Sequence, residues 1–388
     1  DAVHALYGGA VTLSASRMDM ARSCHFAYFM RYGLKARERT GAGFDAPQIG
    51  TFVHDVMEHT LRQAKECGGL HTLSKDKLHA LVRASIEEYI DRVLPDLSEK
   101  SARFRYLFNR LCATVERIMD EVSEELQSSD FEPLAFELEF GADGQLPAIT
   151  IREENGTARV VGKVDRVDGW LHDGKLYLRV VDYKTGKKSF DLAELRYGLG
   201  LQMLLYLFTL KEEGQMLFGG HEIVRAGVLY TPAREPMLRC ARDTEPEKIE
   251  KALKKELRRS GMVLEDPAVL QAMEHSAIES PCYLPIAVKR DGAVTGSLAS
   301  AEQLGKHSKY VDHILHEITQ EVFAGNIDAD PYARTPQQSA CTYCEFASAC
   351  HFENGCGSDR MEYIKATKND EFWQYIDEVN GEGAHENG

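Results

Sequence analysis

The stretch that most constrains the fold runs from Gly162 to Gly186, G-K-V-D-R-V-D-G-W followed by a short turn and Y-L-R-V-V-D-Y-K-T-G. Its period is that of two β-strands, over residues 159–170 and 175–183, joined by Leu171-His172-Asp173-Gly174, a turn signal. Side chains alternate along a strand, so Asp182 and Lys184 share one face, with Asp165 on the neighbouring strand. Val180 and Val181 lead into Asp182 as a β-branched run, the pattern of a buried central strand, where an unpaired carboxylate is costly. Two carboxylates and an ammonium converging at the end of a sheet suit metal-assisted phosphodiester hydrolysis: oxygen ligands for a hard cation and a positive charge near the attacking water.

Upstream, L-S-A-S-R-M-D-M-A-R-S-C-H-F-A-Y-F-M-R-Y-G-L-K predicts a helix capped by Ser14 or Ser16, with Met20, Cys24, Ala27 and Tyr28 at helical spacing and Gly33 closing it. A second helix opens near Pro47 and places Gly50, His54 and Glu58 on one face, the glycine allowing close approach of backbone, metal or phosphate. Residues 71–129 form two long amphipathic helices, striped by Leu78, Leu81, Val82 and Ile86, then by Leu107, Leu111, Val115 and Ile118. These carry no chemistry and read as a helical insertion able to wall a channel. After Pro133 strand patterns take over, followed by one helix over residues 191–210 bearing Gln202 and Tyr206 a turn apart, and a strand over 226–230. If buried, Gln202 needs a polar partner, which packing over the Asp182 strand would supply. The order strand, strand, strand, helix, strand predicts an α/β core, a small mixed sheet flanked by helices. A charged helix over 245–259, a strand pair over 283–289 and 293–298, and a long helix over 301–323 complete the pattern.

Several function classes are disfavoured. No G-x-x-x-x-G-K-[ST] occurs, the near match ending in Gly305-Lys306 lacking the spacing, so no ATP site and no motor are expected. The net charge of −15 argues against non-specific coating of nucleic acid, while leaving room for a local basic groove. The absence of a long apolar run and of a signal peptide ahead of Asp1 predicts a soluble chain without a membrane partner, and the lack of an initial Met predicts a fragment of something longer.

Nine cysteines without a secretion signal do not read as disulfides. Cys341, Cys344 and Cys350 form C-x2-C-x5-C, three thiols that need a fourth ligand; no second local C-x-x-C or H-x3-H is present to make a zinc site. Cys24 is the preferred fourth ligand, turning the set into a staple between distant parts of the chain, with Cys356 as competitor. Cys67, Cys112, Cys240 and Cys282 read as ordinary core residues. Residues 357–388 read as an acidic helix and a frayed tail without a role.

Gly50 and His54, G-x-V-D-R-V-D around Asp165, V-D-Y-K-T-G with Asp182 and Lys184, and Gln202 with Tyr206, in that order, resemble the RecB-type branch of the PD-(D/E)XK nucleases. The split cysteine set resembles the iron-sulfur version of that branch, and the opening segment is most similar to AddB-type C-terminal nuclease domains. The likeness spans roughly residues 11–353. It implies a restriction-endonuclease-like core over residues 1–356, with a [4Fe-4S] cluster on Cys24, Cys341, Cys344 and Cys350 that is structural rather than redox-active. It further implies Mg2+ or Mn2+ held by Asp165, Asp182, the Tyr183 carbonyl and His54, with Lys184 acting on the water, Gln202 holding the lysine or nucleotide, and Tyr206 supporting the same face. Arg166, Lys187 and Lys188 would supply charge along a single DNA strand fed from an unwound duplex end. The family implies the strand with the 5′ terminus, an AddA-type helicase-nuclease subunit as partner, the bacterial cytoplasm as location and a role in double-strand break repair. One departure is His25, where that family commonly has proline after the first cysteine; it weakens the expected helix break and leaves His25 as a further candidate ligand. Rival readings are a free-standing iron-sulfur exonuclease of the Cas4 kind and a non-catalytic scaffold that binds DNA ends.

Overall fold

A computed structural model describes residues 2–37 and 46–386. Helix α1 (Ala2–Tyr7), strand β1 (Ala10–Leu13) and helix α2 (Ala15–Ser23) come first, with Ser14 at the N-cap of α2. The helix expected to continue to Gly33 breaks at Cys24, whose backbone is extended (φ −174, ψ 122), and restarts as α3 (His25–Tyr28) running into a π-helical turn, Phe29–Gly33. Proline is not required for this break. The His25 amide donates to Asp330 Oδ1 at 2.9 Å, so it needs no carbonyl one turn back.

Helices α4 (Ala46–Glu66), α5 (Lys75–Val93) and α6 (Ala102–Gln127) follow, the last two capped by the hydroxyls of Ser74 and Ser101. Phe52, Val53, Val56 and Met57 of α4, Leu78, Val82 and Ile86 of α5, and Val115 and Ile118 of α6 are all buried in one common core. The expected stripe fails at Leu107, which is half exposed while its neighbour Phe108 is buried.

Strands β2 (Glu132–Phe140), β3 (Ile149–Glu153), β4 (Gly156–Val160), β5 (Gly162–His172) and β6 (Lys175–Lys184) come next. The single strand expected over 159–170 is thus two, parted at Val161: β4 joins a small sheet of order β1-β4-β3, while β5 enters the main sheet. The β5–β6 turn is tighter than expected, two residues with positive φ, Asp173 at 49° and Gly174 at 76°, the hand that matches strand twist. The helix expected over 191–210 is also two, α7 (Leu192–Arg196) and α8 (Gln202–Glu213), parted by Gly198 and Gly200 in the left-handed region, φ 74° and 68°.

Then come β7 (Glu222–Pro232), α9 (Pro246–Glu256), β8 (Ser260–Leu264), α10 (Pro267–Met273), the short antiparallel pair β9 (Ile286–Val288) and β10 (Val294–Gly296), and β11 (Leu298–Ala299). The main sheet is mixed and six-stranded, ordered β11-β8-β7-β6-β5-β2 with β6 and β7 parallel, which places the Asp182 strand in its interior. Helix α11 (Ala301–Ala324) opens on a capping box from Ser300 and Gln303. A third sheet, β12 (Tyr332–Thr335), β13 (Gln338–Ser339) and, after α12 (Ala347–Cys350), β14 (Glu362–Tyr363), carries the cysteine segment. The acidic C-terminal segment is not a separate tail. Helix α13 (Asn369–Glu386) buries Phe372 and Ile376 in the main core beside α11, around His307, whose imidazole burial pushes down to about 3 and so keeps neutral. Among the described residues no helix is long and apolar enough to cross a membrane.

Candidate metal and nuclease site

Strand alternation sends neighbouring residues of β5 and β6 to opposite faces, and both faces are charged. On one, Lys184 Nζ lies 2.6 Å from Asp182 Oδ2, and Asp165 Oδ2 accepts the Tyr183 amide at 2.8 Å. Helix α4 brings His54 to the same end of the sheet, its Nε2 2.9 Å from the Tyr183 carbonyl and its Nδ1 3.3 Å from Asp165 Oδ1. The expected convergence of His54, Asp165, Asp182 and Lys184 is therefore present. The Gly50 expectation is different: among the described residues a Cβ there would meet only Thr185 Oγ1, at 4.0 Å, and no described backbone uses the space.

A fifth residue, Glu137, lies outside the expected set. Among the described residues the only set of three or more His, Cys, Asp or Glu ligand atoms all within 4.8 Å of one another is His54, Glu137 and Asp165. The β2–β5 register sets Phe136 against Arg166 and Leu138 against Val164, so Glu137 falls opposite Asp165. Its φ of 50° is rare for a side chain other than glycine and departs from the alternation that L-A-F-E-L-E-F advertises. Lys163 Nζ holds its carboxylate at 2.6 Å.

The electrostatics favour a cation. Burial pushes the Asp182 carboxyl up to about 6 and the Asp165 charge adds to this, with Lys184 pulling the other way. Burial opposes charging His54, but the Asp165 carboxylate more than offsets it and raises the imidazole to about 9. Imidazolium thus bridges Asp165 and the Tyr183 carbonyl, two of the groups expected to ligate metal. One nitrogen and clustered carboxylates, mutually repelling and partly desolvated, are a donor set that fits Mg2+ or Mn2+.

Gln202 does not reach Lys184. Its Nε2 donates to Tyr206 Oη at 3.0 Å, and the same hydroxyl accepts the Lys163 amide at 3.4 Å, so the pair braces the start of β5. Gly162 is required here, since a Cβ would stand 2.6 Å from the rings of Phe140 and Tyr206. The pair borders an open cleft of about 660 Å³ shared with Ser14, Ser16 and Asp19.

Arg166 is corrected. It points to the opposite face, fully buried, with Nε 2.8 Å from Asp168 Oδ1 and Nη1 donating to Tyr183 Oη at 2.6 Å. Arg179, also buried, donates to Asp168 at 2.9 Å, and Arg259 donates to Glu125 of α6 at 2.6 Å. These guanidiniums outweigh burial and hold the Glu125 carboxyl far down. Arg166 therefore locks the strand pair from behind and has no surface for DNA. Lys187 and Lys188 are exposed on the loop after β6, Lys188 Nζ 3.5 Å from Glu194.

A second cavity, about 510 Å³, is lined by Cys24, Cys341, Cys344 and Cys350 together. Cys356 is exposed and outside it, and His25 is engaged with Asp330 and Glu321. Burial raises the Cys24 thiol to about 11, so a thiolate at this position calls for a cation. The expectation for the other cysteines holds for Cys112 alone, which packs against the core; Cys67, Cys240 and Cys282 are exposed.

With an interior D-x-K strand, a hairpin partner carrying Asp165 and a helix delivering His54, the chain belongs to the PD-(D/E)XK nuclease superfamily, whose family model matches residues 12–351. Among individual proteins, it is similar to AddB, a subunit of the ATP-dependent helicase/deoxyribonuclease, of Thermoanaerobacter sp. (strain X514), 31% identical over 383 residues, 97% of this chain and 33% of that protein. The AddB of Acetivibrio thermocellus is 32% identical over 378 residues, 96% of this chain and 33% of its own length. The chain spans about a third of the length of the curated relatives it matches.

Proposed function

We propose that this chain is a metal-dependent DNA exonuclease domain that hydrolyses phosphodiesters of a single strand fed from an unwound duplex end, as part of an AddB-type subunit working with an AddA-type helicase-nuclease subunit in bacterial double-strand break repair. The observation that carries the reading is the gathering of His54, Glu137 and Asp165 within 4.8 Å from a helix and two strands, beside Asp182 and Lys184. The names of the similar proteins, helicase/deoxyribonuclease subunits, support the setting, and the cytoplasmic location belongs to the same proposal.

His54, Asp165, Asp182 and Glu137, with the Tyr183 carbonyl, are the groups that would hold Mg2+ or Mn2+. Such an ion supplies a Lewis acid for a phosphoryl oxygen and lowers the pKa of bound water. Lys184 places its Nζ beside Asp182, where it would orient the attacking water and offset charge developing on phosphorus. Tyr206 and Gln202 hold β5, and hence Asp165, in register. Lys187 and Lys188 offer exposed charge to backbone phosphates.

The four-thiol cavity fits a [4Fe-4S] cluster with a structural role. A tetrahedral zinc would hold its sulfurs about 3.8 Å apart, given bonds of about 2.3 Å, whereas no three of these cysteines bring their sulfurs within 4.8 Å of one another. Protein purified without oxygen should be brown and contain iron and sulfide, and Cys24→Ser should bleach it; a colourless, zinc-loaded protein overturns this part. For the nuclease reading, Asp182→Ala and Lys184→Ala should abolish cleavage of single-stranded DNA with binding retained. Undiminished cleavage by either variant ends the reading.

A further inference from the structure

The parallel strands β6 and β7 end together, Lys184 opposite Pro232, and the Ala233 amide donates to the Lys184 carbonyl at 2.9 Å. Two loops leave this edge side by side: residues 185–191, with Lys187 and Lys188, and residues 233–245, to which no role has been assigned. They depart in different directions. Phe190 on the first donates its amide to Ser260 Oγ at the start of β8, while Glu235 on the second reaches α6. In open α/β sheets, the carboxyl ends of adjacent strands whose connections diverge form a ligand crevice.

The second loop is anchored near its root. Glu235 accepts from Arg110 at 3.0 Å and Arg117 at 3.5 Å, and Arg234 lies 3.4 Å from Glu256. At its far end Glu245 is engaged with Lys248 at 2.9 Å. Between these anchors Met237 is 87% exposed, Leu238 is partly exposed, and Arg239 and Arg242 are exposed. Among the described residues neither arginine has a carboxylate within 4.0 Å, and the loop's remaining acid, Asp243, engages neither. Uncommitted guanidiniums are notable in a chain of net charge −15. Phosphate-binding charge interleaved with exposed apolar surface is what a sequence-tolerant single-strand track requires.

We propose that residues 233–245 form one wall of the path for a single nucleic-acid strand, with Arg239 and Arg242 contacting backbone phosphates and Met237 packing against a base, opposite Lys187 across the ends of β6 and β7. This rests on the nuclease reading of the adjoining site.

The test is binding of a 20-nucleotide thymidine oligomer to the whole chain in chelator, followed by anisotropy across a salt series, so that cleavage plays no part. Removing two phosphate contacts should lower the slope of log K against log salt by about 1.4 and weaken binding about 25-fold at 0.1 M monovalent salt in R239A/R242A. R239K/R242K should restore the slope, and Met237→Ala should weaken binding without changing it. An unchanged slope in R239A/R242A overturns the track even where cleavage is normal, as does loss of association with a partner subunit at unchanged slope. A strand bound with the expected slope but left intact by the wild-type chain in Mg2+ or Mn2+ refutes the nuclease site and supports the track.

Discussion

Asp182 should be a carboxylate that the metal-free fold would be more stable without. Its pKa stands at about 6, against 3.8 for an ordinary aspartate, because it is buried and faces Asp165. The folded state therefore binds this proton more tightly than the unfolded chain. That stabilisation is complete below pH 3.8 and is lost as pH rises through 6, so at pH 8 the ionised group opposes folding by about 3 kcal/mol. Asparagine keeps the shape and cannot ionise. In chelator, Asp182→Asn should match the wild type near pH 4 and exceed its stability by up to about 3 kcal/mol at pH 8. For a chain of 388 residues this amounts to a rise in Tm of about 3–4 °C. Urea unfolding at pH 4, 6 and 8 measures the gap, and saturating Mn2+ should narrow it by stabilising the wild type, which keeps all the proposed ligands, more than the variant. A difference that does not grow between pH 4 and pH 8, or an asparagine variant less stable than wild type at pH 8, would refute the reasoning.

Other outcomes follow from the same geometry. Because His54 titrates at about 9 in the metal-free site, Mn2+ binding at pH 7.5 should expel close to one proton from the imidazole. Calorimetry in buffers of different ionisation enthalpy reads that release, which should vanish in His54→Gln, and affinity should climb with pH until about 9. Tyr183→Phe removes the hydroxyl 2.6 Å from Arg166 and should cost about 1–3 kcal/mol in urea unfolding, with little dependence on pH between 6 and 8. Gly162→Ala drives a methyl into the rings of Phe140 and Tyr206 and should destabilise by about 1–3 kcal/mol; an unchanged denaturation midpoint would show that the rings move freely.

The hairpin was legible because strand alternation and an Asp-Gly turn are local, and the positions of Asp165, Asp182 and Lys184 followed from it; His54 lies on a separate helix, α4, and was tied to them only by the resemblance of the motifs in order. What stayed hidden depended on register and on facing. Glu137 reads as one of two acids alternating in a strand, and only pairing with β5, plus a positive φ, turns it toward Asp165. The DNA contact expected of Arg166 conflicts with the alternation that exposes Asp165 to the site, which must send its neighbour to the core; that signal was available. Gly198 and Gly200 announced the break between α7 and α8, masked by the long apolar run that follows. In α13 the buried Phe372 and Ile376 are spaced four apart among acidic residues, too sparse a stripe to read as core.

The segment around Cys24 is stitched to the far part of the chain by more than thiols. Arg22 pairs with Glu317 and Glu321, the His25 amide with Asp330 across 305 residues, the Phe26 amide with the Asp328 carbonyl, and Arg31 with Glu345. During synthesis these partners leave the ribosome long after residues 22–31 do, so contacts that span this much of the chain form late. The same stitches are made by the protein's own groups, so they hold both parts of the chain together whatever the four thiols bind.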